Sequence, residues 1–480
     1  MPGINKNSGP SAEQTAEHIG LQRYADRSLT EQIRAGMAQA IAEGRLSAGA
    51  RVPSCRDLAA ALGVARGTVR AAYDMLVDSQ LLIARGAAGT WVSAVLPVVR
   101  ATTPETTVPA PLADVVHAFD VVPMTFQLGA PASDAFPAKV WSRILARHVR
   151  EIAGTYTGYA DPRGSLALRQ ALTGYLAIAR GIRCQPSQVM ITNGYTGAMG
   201  VICLALGLRG ERIWTEDPCY LLARRALAIA DMKAVPVPVD DEGISVSCGL
   251  RMAGDARLAL VTPGQQSPLG VTLSLSRRSE LLAWAQRQNG WIIEDDYLGE
   301  LQLHGRAAPA LAALDAERVL HIGTFSKTLS PALRMGYLVV PNAQAELFAE
   351  TAALLAPASS SVLHNAVAEF LNEGHFLRHL RRMKRLYAVR LNALLQALSP
   401  HFSQLLRAAL AVIITLPEGT CDTRIAQAAL AQGMAPSPLS VWYQDRRVSR
   451  SGLVLGVTNM PEDGFAERAA RLKALVIEFG

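Results

Sequence analysis

The chain has 480 residues, of which 50% are apolar and 18% are charged, so we expect a soluble protein of two or three domains with a sizeable core. It contains no apolar run of about 18 residues or more, and its residues 1–20 are polar, which excludes a membrane span and a signal peptide. A net charge of +7 permits contact with nucleic acid, while six scattered cysteines without a CxxC pair favour reduced thiols in the cytoplasm over a zinc site or disulfides.

The first predicted elements belong to a small N-terminal domain. We interpret residues 1–20 as a flexible tail and residues 21–95 as the domain itself. Residues 29–44 are predicted to form an amphipathic helix, because apolar residues recur there at helical spacing: Leu29, Ile33, Met37 and Ile41.

Two short helices joined by a tight turn are predicted next. Ser54 with Asp57 forms a capping box at the start of the first, and Gly63 can take the left-handed turn that ends it. Its inward-facing residues are Leu58, Ala59 and Leu62. The second has a buried side with Val69, Ala72, Tyr73 and Leu76, and an exposed N-terminal face with Arg66, Gly67, Thr68 and Arg70.

A wing hairpin is predicted after these helices, with strands Leu81–Ile83 and Thr90–Val92 joined by residues 85–89. Helix, turn, helix and wing in this order are typical of a winged helix-turn-helix that reads the major groove of double-stranded DNA. The alternative is a generic three-helix bundle whose arginines are merely solvated. The cap, the turn glycine and the wing together favour DNA binding.

The rest of the chain has a different pattern. Residues 96–125 are rich in proline, which predicts an extended linker. In residues 126–480, short apolar strands alternate with helical stretches, which predicts an α/β fold with a mixed, mostly parallel sheet covered by helices. The predicted strands are Val189–Thr192, Arg212–Thr215, Leu258–Thr262, Trp291–Glu294, Val319–Ile322 and Tyr337–Val340.

A lysine, an acidic run and an arginine follow these strands in an order that suits pyridoxal 5'-phosphate. Lys327 can form an imine with the cofactor's aldehyde. Asp295 and Tyr297 follow a strand at the edge where such sheets bind ligands, and a carboxylate there keeps the pyridine nitrogen protonated. Arg334 and Ser326 supply the forked cation and the hydroxyl that a phosphate needs. The sequence therefore predicts a pyridoxal phosphate pocket with Lys327 as its catalytic residue.

Both parts of the chain resemble known families. The N-terminal domain is similar to the GntR-type winged helix in the stretches Pro53–Arg56, Leu58–Ala59, Leu62–Val64, Arg66, Thr68–Val69, Ala72–Tyr73 and Leu76. This resemblance implies that the wing lies near the minor groove at Gly89. It also implies DNA contacts from Arg56, Arg66, Thr68 and Arg70.

Residues 125–465 resemble fold-type I aminotransferases, and with the head they look like a MocR-type regulator of the GntR superfamily. The matching stretches are Tyr159–Gly164, Leu168–Arg169, Ile191–Gly194, Glu216–Tyr220, Val261–Pro263, Ile293–Tyr297, Gly323–Lys327 and Leu333–Tyr337. The resemblance implies a domain-swapped homodimer, in which one chain's head lies near the other chain's large domain.

The same resemblance implies a role for each residue of the pocket. Lys327 would be the Schiff-base lysine, and Asp295 would meet the pyridine nitrogen, with Asp296 as its rival. Tyr297 would contact the phenolic oxygen, and Tyr220 would stack on the ring. The remaining cofactor contacts would be Ser326, Arg334, Thr324 and Thr196.

Three departures from the family's pattern bear on activity. Thr196 and Gly197 replace a pair of glutamines, so that loop's phosphate contacts fall to Thr196 and backbone amides. Gln265, which precedes Gln266, stands where an imidazole is usual, so we expect an amide near the ring edge. Val454 aligns with the arginine that grips a substrate carboxylate. The candidates to replace that arginine are Arg446, Arg447 and Arg450.

Three hypotheses follow from these observations. The first is a transcriptional regulator in which pyridoxal phosphate, or its complex with an amino acid or amine effector, changes how the heads are placed on DNA. The second is a working aminotransferase with an auxiliary DNA-binding domain. The third is a regulator that holds the cofactor only as a structural element. The valine counts against the second, and the intact lysine pocket counts against the third.

Overall fold

The computed structural model describes residues 10–22, 27–94, 122–155, 158–303, 307–460 and 463–480. The chain divides into two compact units, residues 1–111 and residues 112–480. The linker predicted over residues 96–125 lies outside the described residues as far as residue 121. Across the described ranges, no helix has both the length and the apolar character needed to cross a membrane.

The described part of the N-terminal unit, here called the head, contains four α-helices and a hairpin. The helices are α1 (Ala12–Ile19), α2 (Leu29–Ala42), α3 (Cys55–Leu62) and α4 (Arg66–Asp78), and the antiparallel strands are β1 (Leu82–Ala84) and β2 (Thr90–Val92). Of the core positions inferred from helical spacing, Leu29 and Leu62 are only half-buried. The others are buried: Ile33, Met37, Ile41, Leu58, Ala59, Val69, Ala72, Tyr73 and Leu76. Gly63 ends α3 in the left-handed conformation, with φ of +63°.

The start of α3 differs in detail from the predicted capping box. The Ser54 hydroxyl accepts a hydrogen bond from the Asp57 amide at 3.2 Å, as a cap requires. That hydroxyl also donates to the Asp57 carboxylate at 2.7 Å. The aspartate side chain is one carbon shorter than the glutamate of a full box, which explains why it bonds the serine side chain.

The prediction of a flexible tail over residues 1–20 is wrong for its second half, where α1 forms. Ser11 caps this helix in a full capping box with Gln14. Thr15 and Ile19 are buried, and Ile19 belongs to the same apolar cluster as α2, α3 and α4. A helix of two turns with so few apolar contacts shows little periodicity in the sequence, although the contacts suffice to dock it.

The large unit is built on an eight-stranded sheet. Its strands are β3 (Val189–Thr192), β4 (Arg212–Asp217), β5 (Lys233–Asp240), β6 (Gly243–Ile244), β7 (Leu258–Val261), β8 (Trp291–Asp295), β9 (Val319–Thr324) and β10 (Gly336–Val339). Their order is β3-β10-β9-β8-β7-β4-β5-β6. Among the described strands, β10 and β6 run opposite to the other six, which are parallel to one another, so the prediction of a mixed, mostly parallel α/β sheet is confirmed.

A second, four-stranded antiparallel sheet follows near the C-terminus, and the sequence analysis missed it. Its strands are β11 (Leu405–Ala408), β12 (Ala411–Thr415), β13 (Ser437–Pro438) and β14 (Gly452–Gly456), in the order β11-β12-β14-β13. The helices of the unit are α5 (Ala138–Thr155), α6 (Leu166–Ala179), α7 (Gly194–Leu206), α8 (Leu221–Ile229), α9 (Val246–Ala253), α10 (Leu275–Gln288), α11 (Leu311–Leu314), α12 (Ala345–Leu355), α13 (Ser361–Asn372), α14 (His375–Leu398), α15 (Asp422–Leu430) and α16 (Phe465–Phe479).

The topology brings several chain segments to one edge of the large sheet. The parallel strands β4, β8 and β9 all end at the same edge, where ligands bind in sheets of this kind. Because β3 and β10 are antiparallel neighbours, the start of α7 and the turn before β10 also meet at this edge. The polar residues that follow these strands are therefore brought close together.

Candidate functional site

A cavity of about 500 Å³ opens at this edge of the large sheet. All the residues predicted to bind the cofactor line it: Lys327, Asp295, Tyr297, Tyr220, Ser326, Arg334, Thr324 and Thr196. They come from four separate segments of the chain, so no local sequence feature alone could bring them together. Residues of the second sheet line the same cavity, among them Ala411, Ser437 and Val454.

Lys327 follows β9 and reaches into the cavity. Its Nζ donates to the carbonyl oxygen of Gly129 at 3.0 Å. Gly129 has φ of +81°, and a Cβ there would lie 2.5 Å from the lysine nitrogen, so this close approach requires glycine. Burial lowers the pKa of Lys327, and nearby Asp295 only partly opposes this effect. The neutral amine, which is the nucleophilic form, is thereby favoured.

Asp295 and Asp296 face different surroundings, as adjacent residues at the end of a strand do. Asp295 lines the cavity. Asp296 instead accepts a hydrogen bond from Nε of buried Arg180 at 2.6 Å. Of these two carboxylates, therefore, only Asp295 is available to a ligand in the cavity.

The positive charge near the carboxyl of Asp295 is too weak to offset the effect of burial on its pKa. Burial, with the negative charges of Asp296 and Glu216, raises the pKa of Asp295 to about 8, although Lys327 pulls it in the other direction. A protonated pyridine nitrogen beside it would supply the missing cation. The chemistry of this buried group therefore fits pyridoxal phosphate.

The turn before β10 and the first turn of α7 line one part of the cavity. Nη2 of Arg334 donates to Oγ1 of Thr196 at 3.0 Å, which joins the two segments. Thr324 Oγ1 accepts from the amide of Ser326 at 3.1 Å and so shapes the loop that precedes Lys327. A helix N-terminus, two hydroxyls and a guanidinium are together a suitable site for a phosphate dianion.

Aromatic side chains form the part of the cavity that suits a flat ring. Tyr220 lies with its ring centroid 6.0 Å from that of Tyr195 and 6.1 Å from that of Trp442. Burial raises the pKa of Tyr297, so its phenol is a hydrogen-bond donor at neutral pH.

Tyr195 was missed by the sequence analysis although it lines the cavity. Its hydroxyl is buried and finds no hydrogen-bond partner among the described residues. Burial raises the pKa of this phenol well above its usual value, with Asp295 adding to the effect. An orphaned donor of this kind fits a polar ligand atom in the cavity. Its position between Gly194 and Thr196, both in segments already singled out, was the signal that could have revealed it.

The expectation of an amide near the ring edge is wrong. The side chain of Gln265 donates to the carbonyl of Leu298 at 3.0 Å, and that of Gln266 donates to the carbonyl of Pro218 at 2.8 Å. Both amides are buried in the loops that support the cavity and do not line it. A glutamine carries two donors that must be satisfied when buried, and loop carbonyls satisfy them here.

Val454 lines the cavity where the substrate-gripping arginine was expected. None of the three candidate replacements does so. Arg446 donates to the carbonyl of Ser440 at 3.3 Å, Arg447 pairs with Asp445 at 2.7 Å, and Arg450 is exposed.

The predicted DNA contacts of the head lie on two helices, with Arg56 on α3 and the other three on α4. Arg56, Arg66 and Arg70 are exposed, and Thr68 is half-buried. Arg70 lies 4.0 Å from Asp74, an exposed pair too weak to hold the arginine.

Gly89 sits at the end of the wing turn with φ of +99° and ψ of −164°. A Cβ at this position would lie 2.9 Å from Nε of Arg51. Gly89 therefore shapes the wing, and the guanidinium of Arg85 lies over the Trp91 ring at 5.5 Å beside it. Wing and helix face together have the form of a DNA-reading surface.

Comparison with known proteins identifies both units. A family model described as "Aminotransferase class I and II" matches residues 125–434, and one described as "Bacterial regulatory proteins, gntR family" matches residues 29–92. The chain is 35% identical over 436 residues to the probable rhizopine catabolism regulatory protein MocR of Rhizobium meliloti, and the match covers 88% of each chain. This chain belongs to the MocR-type regulators of the GntR family. It is therefore a DNA-binding transcriptional regulator, as the sequence predicted.

Other relatives of this MocR-type regulator agree with that assignment. It is 30% identical over 374 residues to the HTH-type pyridoxine biosynthesis transcriptional regulator PdxR of Corynebacterium glutamicum, covering 77% of this chain and 78% of that one. Among solved structures, the Pyrococcus horikoshii kynurenine aminotransferase in complex with PMP has a TM-score of 0.66 at 26% identity, covering 74% of this chain and 91% of that one. The large unit is thus an aminotransferase-like domain.

We expect Asp295→Asn to stabilise the cofactor-free protein in a pH-dependent way. The folded-state pKa of about 8 exceeds the unfolded-state value, so the unfolded chain ionises this carboxyl at a lower pH than the folded protein does. The resulting loss of stability grows as the pH rises towards 8. The amide cannot ionise, and we expect it to raise the free energy of unfolding by about 1–3 kcal/mol near pH 8, and by less at lower pH.

Thermal unfolding of cofactor-free protein at about pH 5 and about pH 8 measures this difference. The exposed Asp241→Asn serves as the control. A gain for Asp295→Asn that is equal at both pH values, or absent at both, would contradict the role of burial at Asp295.

Proposed function

We propose that this MocR-type regulator holds pyridoxal 5'-phosphate in the cavity, and that the cofactor, alone or with a small amino acid or amine effector, changes how the heads engage double-stranded DNA. The observation that carries the proposal is the uncompensated carboxyl of Asp295 facing a cavity that also contains Lys327 and Arg334. The pyridinium, the aldehyde and the phosphate of the cofactor match Asp295, Lys327 and Arg334, respectively.

Each residue predicted to bind the cofactor then has a role. Lys327 binds the aldehyde carbon covalently, Asp295 pairs with the ring nitrogen, and Tyr297 donates to the phenolic oxygen. Tyr220 stacks on the ring face. The phosphate is held by Arg334, Ser326, Thr324 and Thr196. When bound, the cofactor supplies an electron-poor ring that can stabilise negative charge on an attached amine.

On the DNA side, Arg56, Arg66, Thr68 and Arg70 contact the DNA, and the wing at Gly89 lies near the minor groove. The regulator acts in the cytoplasm as a domain-swapped homodimer, as the family resemblance implies. Two heads in one dimer recognise two half-sites, so the effector controls DNA binding by changing the distance or orientation of the heads.

The first prediction tests the cofactor. Purified protein should show visible absorbance that borohydride abolishes by reducing the imine, and Lys327→Ala should lack this reducible chromophore because the only covalent link is lost. Arg334→Ala should weaken cofactor affinity by about 1–3 kcal/mol, the value of a charge-assisted contact. The exposed lysine variant Lys139→Ala is the control. A chromophore that survives in Lys327→Ala would show that another group binds the cofactor.

The second prediction tests the DNA surface. Arg66→Ala and Arg70→Ala should each weaken binding to DNA from the upstream region of the protein's own gene by about 1–3 kcal/mol, if they read base edges. Binding should also fall steeply with salt, because phosphate contacts release counterions. Arg209→Ala, which alters an exposed ion pair of the large unit, is the control. A footprint that neither variant changes would remove this helix face from the interface.

The third prediction separates this proposal from the alternative of a working aminotransferase, which the fold leaves open. Fast transamination requires a substrate carboxylate held so that the Cα–H bond stands perpendicular to the ring. Val454 provides no donor for that carboxylate. We expect steady-state turnover with common amino acids and keto acids far below about 1 per second, the lower end for ordinary enzymes. Turnover at or above that rate would favour the enzyme.

A further inference from the structure

One wall of the cavity is supplied by the second sheet and is mostly apolar, although Ser437 also lines it. Val454 lies in the middle of β14, opposite Ile413 of β12 and Ser437 of β13, and is 1% exposed. It packs in a small apolar cluster whose other buried members are Ala408, Ala411, Ile413, Leu439 and Tyr443. Val454, Ala408 and Ala411 line the cavity, so a ligand that enters beside the cofactor meets methyl groups on this side.

The charges around the cavity are few. Among the described residues that line it, the only cations are Lys327 and Arg334, and the only carboxylate is Asp295. Under the proposed function, the cofactor engages all three. Every other polar lining group is neutral: Gln127, Tyr195, Thr196, Tyr220, Ser267, Tyr297, Thr324, Ser326, Ser437, Trp442 and Thr458.

The arginines near this wall do not line the cavity. Arg407, next to Ala408, and Arg450, four residues before Val454, are exposed. Arg447 pairs with Asp445, and Arg446 donates to the carbonyl of Ser440. Arg224, at the start of α8, donates through Nη2 to the carbonyl of Val441 at 2.9 Å and does not line the cavity. Among the described residues, no cation is therefore placed to pair with a carboxylate against Val454, where the carboxylate would lose its hydration.

We infer that the ligand admitted beside the cofactor is a primary amine that carries no carboxylate on the carbon next to its nitrogen, and whose substituent is uncharged. The inference rests on the proposed function, because the cofactor's aldehyde combines with primary amines with loss of water. An unpaired carboxylate is costly to bury, whereas methyl groups and neutral hydroxyls accept an apolar or hydroxylated substituent. The regulator thus responds to amines and discriminates against α-amino acids.

Two stable probes that differ by the carboxylate alone test this inference. One is the 5'-phosphopyridoxyl conjugate of 3-methylbutylamine, and the other is that of L-leucine. Calorimetry on the full-length, cofactor-free protein measures the affinity for each, with pyridoxal phosphate as the reference. We expect the amine conjugate to bind roughly tenfold to a hundredfold more tightly than the leucine conjugate, the size of effect that an unsatisfied buried polar group produces.

A matched pair of variants tests the role of the wall. Val454→Arg introduces the missing cation and should reduce or reverse the preference, whereas Val454→Met adds similar length without charge and should keep it. Thermal unfolding verifies that each variant is folded. Because the comparison of the two conjugates on the unaltered protein needs no variant, a Val454→Arg chain that fails to fold leaves the inference open to disproof.

The outcomes distinguish a failure of this inference from a failure of the proposed function. If pyridoxal phosphate binds and the leucine conjugate binds as tightly as the amine conjugate, or more tightly, the inference is overturned while the proposed function stands. If pyridoxal phosphate and both conjugates fail to bind, the proposed function fails and the inference fails with it. A preference for the amine conjugate that Val454→Arg removes and Val454→Met retains would support both.

Discussion

The alternation of side chains at the end of β8 is the constraint on which the candidate site depends. Three consecutive carboxylates, Glu294, Asp295 and Asp296, cannot all face one side of a strand. Glu294 accepts from Nδ1 of His321 at 2.9 Å and from the first backbone amides of α11, while Asp296 pairs with Arg180. Asp295 is left to face the cavity.

These separate environments give chemically identical groups different properties. Burial alone would raise the pKa of Glu294, but His321 and the α11 amides outweigh burial and lower it. No such donor reaches Asp295 among the described residues, and its pKa rises to about 8. The network around Glu294 and Asp296 thus stabilises the end of β8, and Asp295, which lies between these two residues, is the carboxyl that we propose pairs with the cofactor.

Much of this arrangement could be predicted from the sequence because strong local patterns carry it. All six predicted strands of the large sheet are present, with ends that differ by no more than two residues from those expected. Buried parallel strands appear as apolar runs, and residues at their carboxyl ends converge by topology. The residues proposed to hold the cofactor therefore meet in one cavity. In the head, helical periodicity alone marked the core positions.

The features that were not predicted have sequence patterns that are weak or that point to a different structure. Strand β5 contains Pro236 and Pro238, which argue against a strand in any sequence analysis, but it lies near the edge of the sheet, where missing donors are tolerated. Helix α1 is too short to show periodicity. The orientation of Gln265 and Gln266 depends on which loop carbonyls lie nearby, and only the folded chain determines that.

Cofactor retention and ligand selection depend on different parts of the fold. The groups proposed to hold pyridoxal phosphate come from the large sheet and the loops at its edge, between residues 195 and 334. The wall that we propose meets the rest of a ligand comes from the second sheet, where Val454 presents an apolar surface to the cavity. Such a chain can keep the binding chemistry of an aminotransferase and still lack the grip that aligns an amino acid for turnover. A regulator needs only the first property, since a ligand that binds and stays can hold one conformation while the heads engage DNA.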